Sequence, residues 1–214
     1  MAKYFNFFPT TPYTNSNDSS AYDTVTNIIS RFGFEESLKQ NSSIFYPYEI
    51  QDGDTPEMIA SKYYGSSEKH WIVLLFNNII DPQYDWPLEY RTLSRFVENK
   101  YSANNYADTA NTDLSGLTWA RQNIHSYYIT ETTEYSGNTF SQTLQLDSAT
   151  YANTVTGSRT ITLQDGNQIQ QSNVKFSKNY YEYEYDENES KRSIMLLKPE
   201  LALNLEEELR KTLL

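Results

Sequence analysis

The residues that could do chemistry in this chain are few, and their spacing decides which chemistry is open. Glu182 and Glu184 stand two apart in Tyr181-Glu182-Tyr183-Glu184-Tyr185. On an extended strand, positions i and i+2 face one side, so this pair has the arrangement of a two-carboxylate glycosidase site. Neighbouring acids on an exposed strand are far more often solvated, and that is the reading taken for them. Asp52 and Asp54 flank Gly53, where aspartate serves local hydrogen bonding in a turn. The chain has 2 histidines, His70 and His125, and no cysteine, which excludes a Cys–His nucleophile, a thiolate metal site and a histidine-rich metal site. His70 sits beside Trp71 near the start of a helix, in an exposed or capping place, and His125 stands alone ahead of a strand. No G-x-S-x-G, phosphate-cradling glycine loop or H-E-x-x-H is present. The expectation is a protein that is not an enzyme, with no catalytic residue, no metal and no cofactor.

The turn holding Asp52 and Asp54 belongs to a stretch, Tyr48 to Trp86, that reads as one small folding unit. Tyr48 and Ile50 alternate with Glu49 and Gln51, the period of a half-buried strand. Asp52-Gly53-Asp54 turns the chain, with Gly53 free to take a positive φ. Thr55 is a good N-cap and Pro56 suits the first helical position. Met58, Ile59 and Ala60 form the inward face of this short helix, and Gly65 ends it. Ser66 or Ser67 caps a second helix whose apolar face is Trp71, Ile72, Leu75 and Phe76. Asn77, Asn78, Asp81 and Pro82 stop that helix. Trp71 and Trp86 read as core rather than contact.

This order, with the words G-D-T, I-A, Y-G and N-N-I-I-D-P at their separations, resembles a LysM module. The chain departs from that pattern at Pro56, where LysM sequences often carry Leu. It departs again at Asp85-Trp86-Pro87-Leu88, which replaces the usual glycine-containing return strand.

The flanks narrow the resemblance. Upstream stand Tyr4-Phe5-Asn6-Phe7-Phe8-Pro9 and the helix-like run Thr24 to Phe32, with Val25, Ile28, Ile29 and Phe32 at helical spacing. Downstream come a helix containing Leu93, Phe96, Val97 and Tyr101, then Tyr181 to Tyr185, Asn188 to Arg192 and Ile194 to Pro199. Together, over residues 1–101 and roughly 174–214, these resemble the LysM-bearing baseplate wedge family of contractile-tailed phages of the T-even type. The resemblance implies a structural virion protein of the tail baseplate, assembled in the host cytoplasm. It implies that the protein ties wedges together around the tail tube, beneath the sheath, in multiple copies of a symmetric assembly. Its partners would be other baseplate wedge subunits, with sheath-initiating or tube-proximal proteins as further candidates.

Composition bounds the alternatives. A net charge of −11 argues against non-specific nucleic-acid binding, which needs Lys and Arg against phosphates. Apolar runs fall far short of bilayer length, and the N-terminus has no secretory pattern. With 19 tyrosines, the surface is suited to protein contacts, since the ring buries area while the hydroxyl keeps a partner.

The expected fold class is α+β, in four parts. Residues 1–47 are an N-terminal arm and helix, and 48–101 the LysM-like module with its trailing helix. Residues 102–173 are a β-rich polar insertion. There Tyr127–Thr133 and Thr139–Leu146 flank Ser136-Gly137-Asn138, and Thr160–Leu163 and Gln168–Gln170 flank Asp165-Gly166-Asn167. Residues 174–214 are a hairpin of Tyr181–Tyr185 with Ser193–Lys198, then a helix with Leu201, Leu205 and Leu209 on one stripe.

Two functional readings remain open. One is a wedge subunit that clamps neighbouring wedge proteins during baseplate assembly. Its contact residues would be Gly53, Asp54 and Thr55 in the first loop, Asn77, Asn78 and Asp81 in the second, and Tyr4, Phe5, Phe7 and Phe8 in the arm. The other is a LysM module binding peptidoglycan or chitin, both polymers of N-acetylglucosamine, through the same two loops.

Overall fold

The computed structural model describes residues 8–14, 22–28, 33, 41–102 and 115–213. It is an α+β chain that divides into two compact units, Met1–Glu89 with Glu189–Leu214, and Tyr90–Asn188.

In the first unit, β1 (Thr10–Tyr13) pairs antiparallel with β2 (Asp23–Thr26), Thr11 opposite Val25. The helix expected from Thr24 is therefore a strand over its first residues. Three successive residues, Thr24, Val25 and Thr26, are β-branched and stiff at χ1, which favours the extended chain. Ile29 and Phe32 lie outside the described residues.

β3 (Phe45–Glu49) leads through the Asp52-Gly53-Asp54 turn into α1 (Pro56–Tyr64). Thr55 caps α1 by accepting from Met58 N at 3.3 Å, Pro56 opens it, and left-handed Gly65 closes it with its N–H on Ser61 O. A 3₁₀ turn (Ser67–Lys69) enters α2 (His70–Phe76), and α3 (Pro82–Asp85) follows. The strand that pairs with β3 comes from much later in the sequence. β8 (Ser193–Leu197; β4 to β7 belong to the second unit) pairs antiparallel with β3, Phe45 opposite Leu197 and Tyr48 opposite Ile194. The Trp86 segment forms no return strand; Trp86 is buried instead.

Helix α2 lies between two apolar clusters. Trp71, Ile72 and Phe76 pack with Leu197, Ala202 and Leu209, while Val73 joins Ile50, Ile59, Trp86, Ile194 and Leu196. Full burial of each such side chain contributes roughly 1.5–3 kcal/mol, so α2 is the anchor of the unit. The last helix, α8 (Pro199–Leu213; α4 to α7 lie in the second unit), lays the Leu201, Leu205, Leu209 stripe onto the first cluster, so the stripe packs within the chain. Met58 does not face inward: it is 56% exposed, and the buried residues of α1 are Pro56, Ile59 and Ala60.

The second unit starts with α4 (Tyr90–Lys100), which buries Leu93 and Val97. α5 (Gly116–Gln122) rests its N-terminus on Glu98, whose carboxylate accepts from Gly116 N at 3.0 Å and Leu117 N at 2.8 Å. A Cβ at Gly116 would stand 2.2 Å from Glu98 O, so only glycine allows this approach. A four-stranded antiparallel sheet of order β5-β4-β7-β6 follows, made of β4 (Ile124–Tyr135), β5 (Asn138–Leu146), β6 (Gly157–Thr162) and β7 (Gln168–Asn179). Both expected hairpins are present, with Ser136-Gly137 as the two-residue loop of the first. Between β5 and β6 lies α6 (Ser148–Asn153), which Asp147 caps by accepting from Ala149 N and Thr150 N.

Tyr181 to Tyr185, expected as a strand, lies in α7 (Tyr180–Ser190). A reciprocal cap explains this: Glu182 N donates to Asn179 Oδ1, and Asn179 N donates to Glu182 Oε2, each at 2.8 Å. That box takes up two N-terminal donors that the helix would otherwise leave unpaired. The expected hairpin of this segment with Ser193–Lys198 is accordingly replaced by the β3–β8 pair. On a helix, Glu182 and Glu184 no longer share a face. Glu184 is buried and accepts from Lys100 Nζ and Tyr101 OH, both at 2.6 Å.

Candidate functional site

The two loops singled out in the sequence are built from bonds within the chain. In the first, Asp54 N donates to Gln51 O at 3.0 Å, closing a turn in which Gly53 has φ 88°. The Asp54 carboxylate accepts from Tyr48 OH at 2.8 Å and from Gln51 N at 3.1 Å. Burial, together with the adjacent Asp54 carboxylate, pushes the Tyr48 phenol up to about 12. Asp52 lies on the outside, paired with Arg192 at 2.5 Å. Arg192 also binds Glu189 and the carbonyls of Ile50 and Leu88, so it ties the start of β8 to this loop.

In the second loop, Asn77 behaves as one rung of a strand. Its Nδ2 donates to Val73 O and to Met195 O, and its Oδ1 accepts from Met195 N, all at 2.8 Å. Asn78 takes a left-handed φ of 57° and is exposed. Asp81 caps α3 by accepting from Gln83 N at 3.0 Å, while Asp85 Oδ2 accepts from Ile80 N and Asp81 N.

The loops meet through Trp86, which follows α3 and donates its indole N–H to Asp54 O at 2.9 Å. Gly53, Asp54 and Thr55 are thus joined to the far end of the loop that begins at Asn77. Asn77 itself points to β8. The side chains of Asp54, Thr55, Asn77 and Asp81 are engaged internally, and they shape a surface rather than extend from it. Of the arm, Phe8 is buried at 6% exposure, and Tyr4, Phe5 and Phe7 lie outside the described residues.

The side chains that stand out beside these loops are different ones: Ile80 at 74%, Tyr84 on α3 at 68% and Met58 on the first turn of α1 at 56% exposure. Large apolar side chains held outward on a rigid frame are what a protein partner can bury. Asp81-Pro82 marks a helix start between Ile80 and Tyr84, but the four residues of α3 carry too little periodicity to show in the sequence which side chains turn outward.

The other chemistry-bearing residues are accounted for structurally. His70 Nδ1 contacts Ser67 O at 3.0 Å, a capping contact. His125 is stacked on Tyr183 with ring centroids 3.9 Å apart and makes an edge contact with Tyr180. Trp71 and Trp86 are buried. Among the described residues, no group of three or more His, Asp or Glu is placed to hold a metal ion, and no helix is long and apolar enough to cross a membrane.

A family model described as base plate wedge protein 53 matches residues 3–201 of the chain. No curated protein matches it significantly.

Proposed function

The chain belongs to the base plate wedge protein 53 family, and from that premise we propose that it clamps neighbouring wedge proteins through the two loops of its first unit. Family membership makes it a structural component of a phage baseplate, in the virion tail, assembled with other baseplate proteins. The gripping surface is our reading. The observation that carries it is the outward display of Ile80, Tyr84 and Met58 on and beside loops whose polar side chains are bonded within the chain. Such a surface loses little conformational entropy on docking, so most of the buried apolar area is available for affinity. We read the order β3, α1, α2, β8 as a LysM-like module whose closing strand arrives after an inserted unit. β3 and β8 then hold the same loops in place, through Tyr48 on Asp54 and Met195 on Asn77.

The test is complementation of a phage lacking this protein with Ile80→Asp/Tyr84→Asp. The double variant is expected to keep its melting temperature and to be depleted from purified tails. Undiminished incorporation would overturn the gripping role of these loops. The saccharide reading draws on the same loops but has weaker support, because Asp54, Thr55, Asn77 and Asp81 already bond within the chain. Retention of the purified protein on N-acetylglucosamine polymer, lost in that double variant, would favour it.

A further inference from the structure

The second unit carries a sheet edge without the usual protective devices. β5 is the edge strand next to β4, and it is exposed along nearly its whole length. Its sequence, Asn-Thr-Phe-Ser-Gln-Thr-Leu-Gln-Leu, holds no charge, no proline and no glycine. Edge strands are ordinarily protected by these devices or by a bulge, because unpaired main-chain groups are a template for another strand. The opposite edge, β6, contains Gly157 and Arg159, and the pairing of β5 with β4 shows no bulge.

The parity of the ladder says which groups are on offer. Ser136 and Gly137, with φ 50° and 79°, form a two-residue loop closed by Tyr135 and Asn138. That closing pair is hydrogen-bonded, and bonded pairs recur at every second residue, through Phe140, Gln142 and Leu144. The N–H and C=O groups of Thr139, Ser141, Thr143 and Gln145 therefore point away from β4. Phe140 (67% exposed) and Leu144 (40%) share one face of the strand. On the other face Thr143 and Ser141 continue a hydroxyl ladder from Thr130 and Thr132, at 2.9 and 3.1 Å.

We infer that β5 receives an extended, basic segment of another baseplate subunit, which joins the sheet as a fifth strand. Apolar residues of that segment would meet Phe140 and Leu144, with hydroxyl or amide residues on the alternate side. Charge selects the occupant. Glu131 and Glu134 lie on β4 directly opposite Gln142 and Thr139, both exposed, and among the described residues neither forms an ion pair. A Lys or Arg on the incoming strand faces them across β5, two strand spacings or about 9.6 Å away, a gap that the two long side chains span together. A second copy of this chain would instead bring the same carboxylates and another net charge of −11 to the edge. This inference rests on the baseplate reading above.

The test places photo-crosslinking p-benzoylphenylalanine at Phe140 in the full-length chain, purifies tails after irradiation, and maps adducts by mass spectrometry. The expected result is an adduct with an extended segment of one other baseplate subunit. Thr143→Pro removes an outward N–H while sparing the bonds to β4. It is expected to lower the adduct yield about fivefold to tenfold, whereas Thr143→Val leaves it unchanged. Should Thr143→Pro not fold, Ser141→Lys serves as the second variant and is expected to lower the yield by repelling a basic strand. Adducts only between copies of this chain, no adduct in tails that contain it, or insensitivity of the yield to whichever of Thr143→Pro and Ser141→Lys folds would overturn the inference. Absence of the chain from tails would instead overturn the clamp reading beneath it.

Discussion

The first unit and the four-stranded sheet of the second are held together by different forces. In the first, α2 is buried on two sides between apolar clusters, and its loops are fastened by side-chain amides, carboxylates and an indole. In the sheet, β6 is exposed throughout and β5 nearly so, and β4 buries only Ser126 and Ile129. Backbone ladders and paired hydroxyls hold that sheet, with little apolar area beneath its outer strands. The first arrangement yields a surface of fixed shape, suited to gripping. The second yields edges and faces that remain available to a neighbour.

Truncating a core side chain in each region should expose the contrast most strongly. Ile72→Ala, at a fully buried site of α2, is expected to cost about 2–5 kcal/mol in equilibrium denaturation. Leu144→Ala on β5 is expected to cost less than about 1 kcal/mol. Similar costs at both sites would erase the distinction.

Two loop substitutions sharpen it further. Asn77→Ala deletes three bonds and leaves Met195 N and O without that partner, so a loss of about 1–3 kcal/mol is expected from chemical denaturation. Gly53→Val forces a β-branched residue to φ 88° where no neighbour blocks the new side chain. The cost is backbone strain of about 1–3 kcal/mol. A variant as stable as the parent would remove that turn from the argument.

The smallest effect is one of pH. The folded phenol of Tyr48 is raised from its ordinary value of 10.0 to about 12, by burial first and then by Asp54. Its proton is held more tightly in the folded state, so the stabilisation is complete below about pH 10 and fades as pH climbs towards 12. Melting temperatures of the parent and of Tyr48→Phe should converge between about pH 9 and about pH 12. A constant gap would show that the Tyr48–Asp54 bond is not the cause.

How far the sequence foretold this structure follows from where each signal resides. Thr55, Pro56 and Gly65 bracket α1 because caps and helix-stops act through the nearest backbone groups. Ser136-Gly137 and Asp165-Gly166-Asn167 marked both hairpins for the same local reason. The closing strand was not legible, because the pairing of Ser193–Leu197 with Phe45–Glu49 is a long-range choice with no local marker. Tyr181 to Tyr185 misled through its period-2 pattern, although Asn179-x-x-Glu182 held the cap that overrides it. At the loops, Asp54, Asn77 and Asp81 drew attention as polar turn residues, and their chemistry is directed inward. The outward role of Ile80 and Tyr84 depends on the short helix α3, whose four residues carry too little periodicity to be read.

Hydrogen exchange compared between the free chain and the chain in purified tails tests the central claim most directly. The gripping account expects the backbone amides of 77–86 to gain protection on assembly. Unchanged exchange there in tails that contain the protein would contradict it.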